Sequence, residues 1–202
     1  MENRLSNPLA PEIAHSAVSQ ALRTGAVILG GSALVALSSH IALPLGFTPV
    51  PLTLQPFAVL MLGLLLTPRL AAATLGAYLV EGALGLPVFA PGLVFGAGMA
   101  HLLGPTGGYL MSYPAAAMLI TILWRRSGRG FSSALASAAI GNVLILLCGF
   151  AWLTVWTHGA GSLSTLKATF AMAVLPFLPG DALKVVAAAA IAKGLERVRR
   201  NR

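Results

Sequence analysis

The chain alternates long apolar stretches with short breaks of proline, glycine and arginine. A helix that crosses a bilayer needs about 20 consecutive, mostly apolar residues. The first such run covers residues 21–43. Pro44, Pro49 and Pro51 end it, because proline has no amide donor and its ring collides with the preceding turn. A second run covers 54–67, Pro68 and Arg69 make a tight basic joint, and a third run covers 70–84. Both are short for a full span, so their ends are expected to merge into loops. A fourth helix is predicted over 109–124, ending at RRSGRG, and a fifth over 131–156. A polar stretch follows at 157–165. Residues 166–179 have no clear assignment, because Pro176 and Pro179 bracket their end. The sixth helix starts near Gly180 and runs into a charged tail. The expected fold is an all-α integral membrane bundle of six transmembrane helices. It forms one membrane domain over 1–202, with a polar segment at 1–20 and a basic tail at 193–202.

Residues 85–108 break this rhythm. The string GLPVFAPGLVFGAGMAHLLGPTGG is rich in glycine and proline but remains apolar. A solvated linker would be polar. Long loops in compact domains are usually functional, so this one is expected to fold over something.

Composition strengthens the membrane reading. The chain is 57% hydrophobic and 9% charged, against roughly 25% charged in a soluble domain. A net charge of +8 would suggest nucleic acid in a soluble protein. Here all the lysines and arginines except Lys167 and Lys184 lie at the termini or in two joints, at Arg69 and at Arg125, Arg126 and Arg129. No basic face interleaved with aromatics is left to track a phosphate backbone, which argues against nucleic-acid binding. Short cytoplasmic loops carry an excess of Lys and Arg. Six spans then put both termini and both basic joints on the cytoplasmic side. Loops 44–53, 85–108 and 157–168 face outward together, as a mouth or lid. The first twenty residues lack the pattern of a cleaved signal peptide, so insertion is expected to rely on the first helix. The lone cysteine, Cys148, excludes an internal disulfide and sits in an apolar run.

Ionisable groups inside a membrane helix cost about 2.5 to 3.5 kcal/mol on insertion scales and are functional candidates by default. Three stand out: Glu81 near the end of the third helix, and Asp181 with Lys184 in the sixth. A spacing of three puts Asp181 and Lys184 on one helical face. They form either an internal ion pair or part of a ligand site. Asp181 also falls in the first turn after Pro179 and Gly180, where a carboxylate meets the positive end of the helix dipole. Glu81 is read either as a ligand group or as a solvated residue at the outer interface. Ala26, Gly30, Ser32 and Ala36 give small-xxx-small spacing on the first helix. That suits contact with another helix of the chain or docking to a partner subunit. No P-loop, HExxH or GxSxG string is present. His15, His40, His101 and His158 are too dispersed for a metal site and read as interfacial or loop residues. Catalysis has little support.

Longer strings carry a resemblance. IALPLGFTPVPLTLQPFAVLMLGLLLTPRLAA, GALGLPVFAPG, LLGPTGGYLMSYPAAA and FLPGDALKVVAAAAIA, in that order over about residues 30–192, resemble the signatures of the BioY family. These are the substrate-binding S subunits of energy-coupling factor (ECF) biotin transporters. The resemblance implies an S-component bundle with extracellular lid loops and biotin held near the outer face. It implies a transmembrane coupling subunit and cytoplasmic ATPase subunits as partners, with no cofactor. It points to Asp181 and Lys184 as ligand-site residues, with Thr53, Gln55, Thr106 and Tyr109 beside them. It also gives the first-helix small residues a docking role. A carboxylate such as Asp181 can accept from the two ureido N–H groups of biotin, and charge-assisted bonds are the strong ones. Phe89, Leu86 and Tyr109 would supply an apolar wall, and Lys184 is a candidate partner for the ligand carboxylate. Three other readings stay open at this stage. They are an S component for another vitamin, an intramembrane enzyme built on Asp181 and Glu81, and a purely structural membrane subunit.

Overall fold

The computed structural model describes residues 10–91, 98–158 and 163–201. Long helices dominate: α1 (Ala10–His40), α2 (Gln55–Leu65), α3 (Pro68–Ala83), the single turn α4 (Met99–Leu102), α5 (Gly107–Arg126), α6 (Phe131–His158), α7 (Leu163–Ala173) and α8 (Leu178–Arg200). A two-residue antiparallel pair joins β1 (Ala42–Leu43) to β2 (Leu52–Thr53), with Ala42 opposite Thr53.

Each break has a local cause. Proline sits in the first turn of α2, α3 and α8, where its missing amide costs nothing. Thr67 caps α3 by accepting the Leu70 amide on its side-chain oxygen. The second and third predicted helices lie within one to two residues of α2 and α3, and the fifth lies within two of α6. One expectation needs correction, and two further segments gain a definite structure. The first helix begins at Ala10 and not near residue 21. Helix continuation needs only backbone propensity, and apolar content marks the membrane-buried part alone. The region at 166–179 resolves into α7 and the start of α8, which meet at a 44° bend. The basic tail beyond 193 continues α8 as helix to Arg200.

Three helices, Val18–His40, Gly107–Arg126 and Phe131–Thr157, are long and apolar enough to cross a membrane unaided, and the bent α7–α8 pair makes a fourth candidate. The 11 residues of α2 and the 16 of α3 fall short of a full span. Loop 44–53 and residues 84–91 continue the chain beyond their ends, as the sequence pattern suggests. Lipid-facing side chains such as Leu22, Leu29, Leu37 and Leu183 are exposed and apolar, the inverse of a soluble surface.

Two apolar clusters fill the bundle. One gathers Val59, Leu75, Tyr78, Tyr109, Tyr113, Ile145 and Phe177 around the starts of α2, α5 and α8. The other gathers Leu64, Ile120, Trp124, Ala138, Ala188 and Ala192 toward the basic joints. Small residues bring helices close. A side chain at Gly31 would meet Thr74 Cγ2 at 2.5 Å, so α1 crosses α3 there. At the far end, Arg125 donates to Leu66 O at 3.3 Å. Arg129 pairs with Glu196 at 3.1 Å, and Lys193 Nζ donates to Arg129 O at 3.4 Å. Both basic joints and the end of α8 therefore share one end of the bundle.

Candidate binding site

The opposite end holds a pocket enclosing about 530 Å³ of empty space, part of it open to solvent. Three helices start here: α2 contributes Gln55 and Pro56, α5 contributes Tyr109, Leu110 and Tyr113, and α8 contributes Asp181 and Lys184. Helix amino termini carry partial positive charge, so their convergence favours an acidic group. Val50, Pro51, Ala90, Ile145, Leu146 and Phe177 make the apolar walls.

Asp181 is the charged centre. It is only 4% exposed. Lys184 Nζ meets its Oδ1 at 2.8 Å, and Asn142 Nδ2 on α6 donates to its Oδ2 at 3.2 Å. The predicted pair on one helical face therefore forms. Each carboxylate oxygen has one protein donor and keeps further lone-pair capacity. A buried charge without such donors would be costly.

Around this centre the structure brings Thr53, Gln55, Thr106 and Tyr109 together on one pocket. Thr53 Oγ1 donates to Gln55 Oε1 at 3.2 Å, and Gln55 Nε2 donates to the Tyr78 hydroxyl at 2.5 Å. The Tyr78 hydroxyl in turn donates to Val88 O at 3.0 Å. One chain of bonds thus ties β2, α2, α3 and the loop after α3. Tyr109 donates to Ala173 O at 2.7 Å, anchoring α5 to the end of α7.

Other expected residues lie elsewhere. Phe89 is buried one layer behind the pocket wall, edge-on to Tyr78 at 5.4 Å and stacked on His101 at 5.0 Å. Leu86 is half exposed and outside the pocket. Glu81 does not line the pocket; its carboxylate accepts a short bond from the Ser32 hydroxyl, linking α3 to α1. Of the first-helix residues, Ser32 is fully buried in that contact and Ala36 packs partly against the core. Ala26 and Gly30 are exposed, and a side chain at Gly30 would meet open space. The tight α1 crossing falls at Gly31, between Gly30 and Ser32.

Two residues were missed. Asn142 is a lone amide in an otherwise apolar helix, and its cost in a membrane segment was the available signal. His101, expected to be an ordinary loop histidine, lines the pocket. Burial pushes its imidazole below the ordinary value. Among the described residues, the buried side-chain polar atoms without a partner are Thr106 Oγ1 and Asn142 Oδ1. Native interiors rarely leave such atoms unpaired. One lines the pocket and the other belongs to the residue that holds Asp181.

Among the described residues no cluster of His, Cys, Asp or Glu has the makings of a metal site.

The likeness to known proteins extends over the whole bundle. A probable biotin transporter BioY of Pyrococcus horikoshii is 38% identical over 164 residues, covering 81% of this chain and 90% of that relative. The biotin transporter BioY of Thermotoga maritima is 34% identical, covering 83% and 92%. Among solved structures, the S-component for biotin from an ECF-type ABC transporter superposes with a TM-score of 0.74 at 26% identity, covering 89% of this chain and 93% of that one. The BioY family model matches residues 10–201, and the chain belongs to the BioY family.

Proposed function

We propose that this chain is the substrate-capture subunit of a biotin uptake transporter, not an enzyme. The observation that carries the reading is the buried Asp181 carboxylate, oriented by Lys184 and Asn142 and opening into an apolar pocket, in a chain of this family. Biotin presents two ureido N–H donors, an apolar fused ring and a carboxylate. Asp181 accepts from the ureido N–H groups through charge-assisted bonds. Tyr109, Phe177 and Ile145 enclose the ring, and Thr53, Gln55 and Thr106 supply neutral polar contacts. Lys184 holds the Asp181 carboxylate in place. Phe89 and Glu81 act behind the pocket, one bracing the wall and the other locking α3 to α1.

The chain has no nucleotide-binding P-loop. Energy therefore comes from partners: a transmembrane coupling subunit and cytoplasmic ATPase subunits. Of the four small residues named on α1, Ala26 and Gly30 are the exposed ones left for docking. The protein sits in the cytoplasmic membrane with both termini and the basic joints inward, following the positive-inside rule. The pocket then opens outward.

Calorimetric titration of the detergent-purified protein with biotin tests this reading. Wild type should bind tightly. Asp181→Asn should weaken binding by about 10- to 150-fold, the loss of roughly 1.5–3 kcal/mol in charge-assisted bonds. Lys184→Ala should cost at least as much, because it leaves a buried carboxylate uncompensated. Retained binding in both folded variants would make the pair structural. No binding by folded, ligand-free wild type would end the biotin assignment.

A further inference from the structure

Asp181 and Lys184 meet at 2.8 Å, and both are nearly buried. Their charges cancel, so the pocket carries no net charge from them. An anionic ligand therefore enters a site whose strongest cation is already committed. Thr106, Tyr109 and Tyr113 offer only neutral hydroxyls, and that of Tyr109 is engaged with Ala173 O.

His101 remains. It lines the same pocket, and its ring takes no hydrogen bond among the described residues. The ring plane is fixed by Phe89, stacked at 5.0 Å and 25°. Phe89 is itself seated against Gly82, where any side chain would collide with its ring. The turn α4 is pressed against the start of α5, since a side chain at Gly107 would strike Leu102 O. His101 thus sits beside the amino end of α5, where the helix dipole favours negative charge. On α3 and α5, the helices packed against α4, the titratable groups toward this end are Tyr78, Glu81, Tyr109 and Tyr113. Glu81 is turned to Ser32. Across the pocket, α8 brings Asp181 and Lys184.

We infer that His101 receives the carboxylate of the ligand, and that this contact couples capture to the uptake of one proton. The inference rests on the biotin reading above and extends it to the other end of the ligand. Burial disfavours the imidazolium in the free site, so the free ring is neutral near pH 7. A carboxylate beside it stabilises the charged form and raises its proton affinity. Affinity for an anionic ligand then rises as pH falls, by up to about tenfold per pH unit for one linked proton. Ligand carboxyl groups stay ionised above about pH 5.5.

The test titrates biotin and biotin methyl ester into the purified protein from pH 5.5 to 8, using wild type, His101→Gln and His101→Phe. The last variant keeps the stack on Phe89. Wild type should bind biotin more tightly toward acid, by up to about tenfold per unit, and take up a proton, read as a dependence of the binding heat on buffer ionisation. The slope should vanish for the ester and in both variants. A flat wild-type profile with biotin, a slope that survives His101→Gln and His101→Phe, or an equal slope with the ester would each overturn the inference and leave the biotin reading standing. No biotin binding at any pH would overturn both.

Discussion

At the residue scale, Asn142 shows what a single amide can do in an apolar helix. A carboxylate only accepts, so the amide must turn its Nδ2 toward Asp181. That orientation leaves Oδ1 buried and unpartnered, an arrangement that costs roughly 1–3 kcal/mol in a folded protein. The cost is accepted in return for a fixed Asp181. Asn142→Leu removes that unpartnered atom but also strips the buried Asp181 Oδ2 of its donor, so it should fold with a melting temperature near or somewhat below wild type and bind biotin about tenfold more weakly, the value of one charge-assisted bond. If the residue acts through Asp181, the loss should largely disappear in an Asp181→Asn background. Titration of the two single variants and the double variant reads this coupling. Additive losses would mean that Asn142 acts independently. Asp181, Lys184, Thr106 and Tyr109 were legible because they stand in strings whose neighbours repeat a family pattern. Asn142 and His101 have no partner at a telling spacing. Their meaning comes from α6 and α4 being folded against α8 and α5.

At the element scale, the apolar runs gave α2, α3, α5 and α6 to within about two residues and missed the starts of α1 and α7. Residues 10–20 are polar, yet nothing after Pro11 breaks a helix there, and α1 runs through them. The start of α7 was hidden for the opposite reason, since Pro176 and Pro179 mark its end and nothing marks its beginning. On α1 the small-residue spacing left helix contact and docking both open, and only packing tells the exposed Gly30 from the crossing at Gly31. The glycines make a direct prediction. A side chain at Gly108 would run into Trp152 and lie 2.5 Å from Cys148 O. Gly108→Ala should force α5 and α6 apart and destabilise the protein by about 1–3 kcal/mol, as overpacking does. Gly30→Ala meets nothing and should be neutral or stabilising by up to about 1 kcal/mol, the helix preference of alanine. Thermal unfolding in detergent compares the two. Biotin binding intact in Gly30→Leu, with uptake into cells lost, would give the exposed stripe its docking role; unimpaired uptake would remove it.

For the whole molecule, charge and pocket lie at opposite ends, and the arrangement decides how the protein meets the membrane. Arg125 bonds the end of α2, Arg129 pairs with Glu196, and Lys193 reaches the second joint. Joints far apart in sequence are thus held at one face by specific contacts. The pocket, the β1–β2 pair and the turn α4 occupy the other. In the proposed orientation the basic end lies in the cytoplasm, as the positive-inside rule favours, and the pocket samples the outside. Single cysteines test it in a Cys148→Ala background, with Phe47→Cys in the loop between β1 and β2, Ser127→Cys in the second joint and Asn201→Cys after α8. All three positions are exposed. In intact cells a membrane-impermeant maleimide should label Phe47→Cys alone, and the other two should react only after permeabilisation. The reverse pattern would invert the protein and place the pocket inside, which is incompatible with capture from outside. Labelling of positions 127 and 201 from different sides would mean an odd number of crossings between them. In that case α6 and the α7–α8 pair would not both span, and the shared end of the bundle would have to be explained by something other than the membrane.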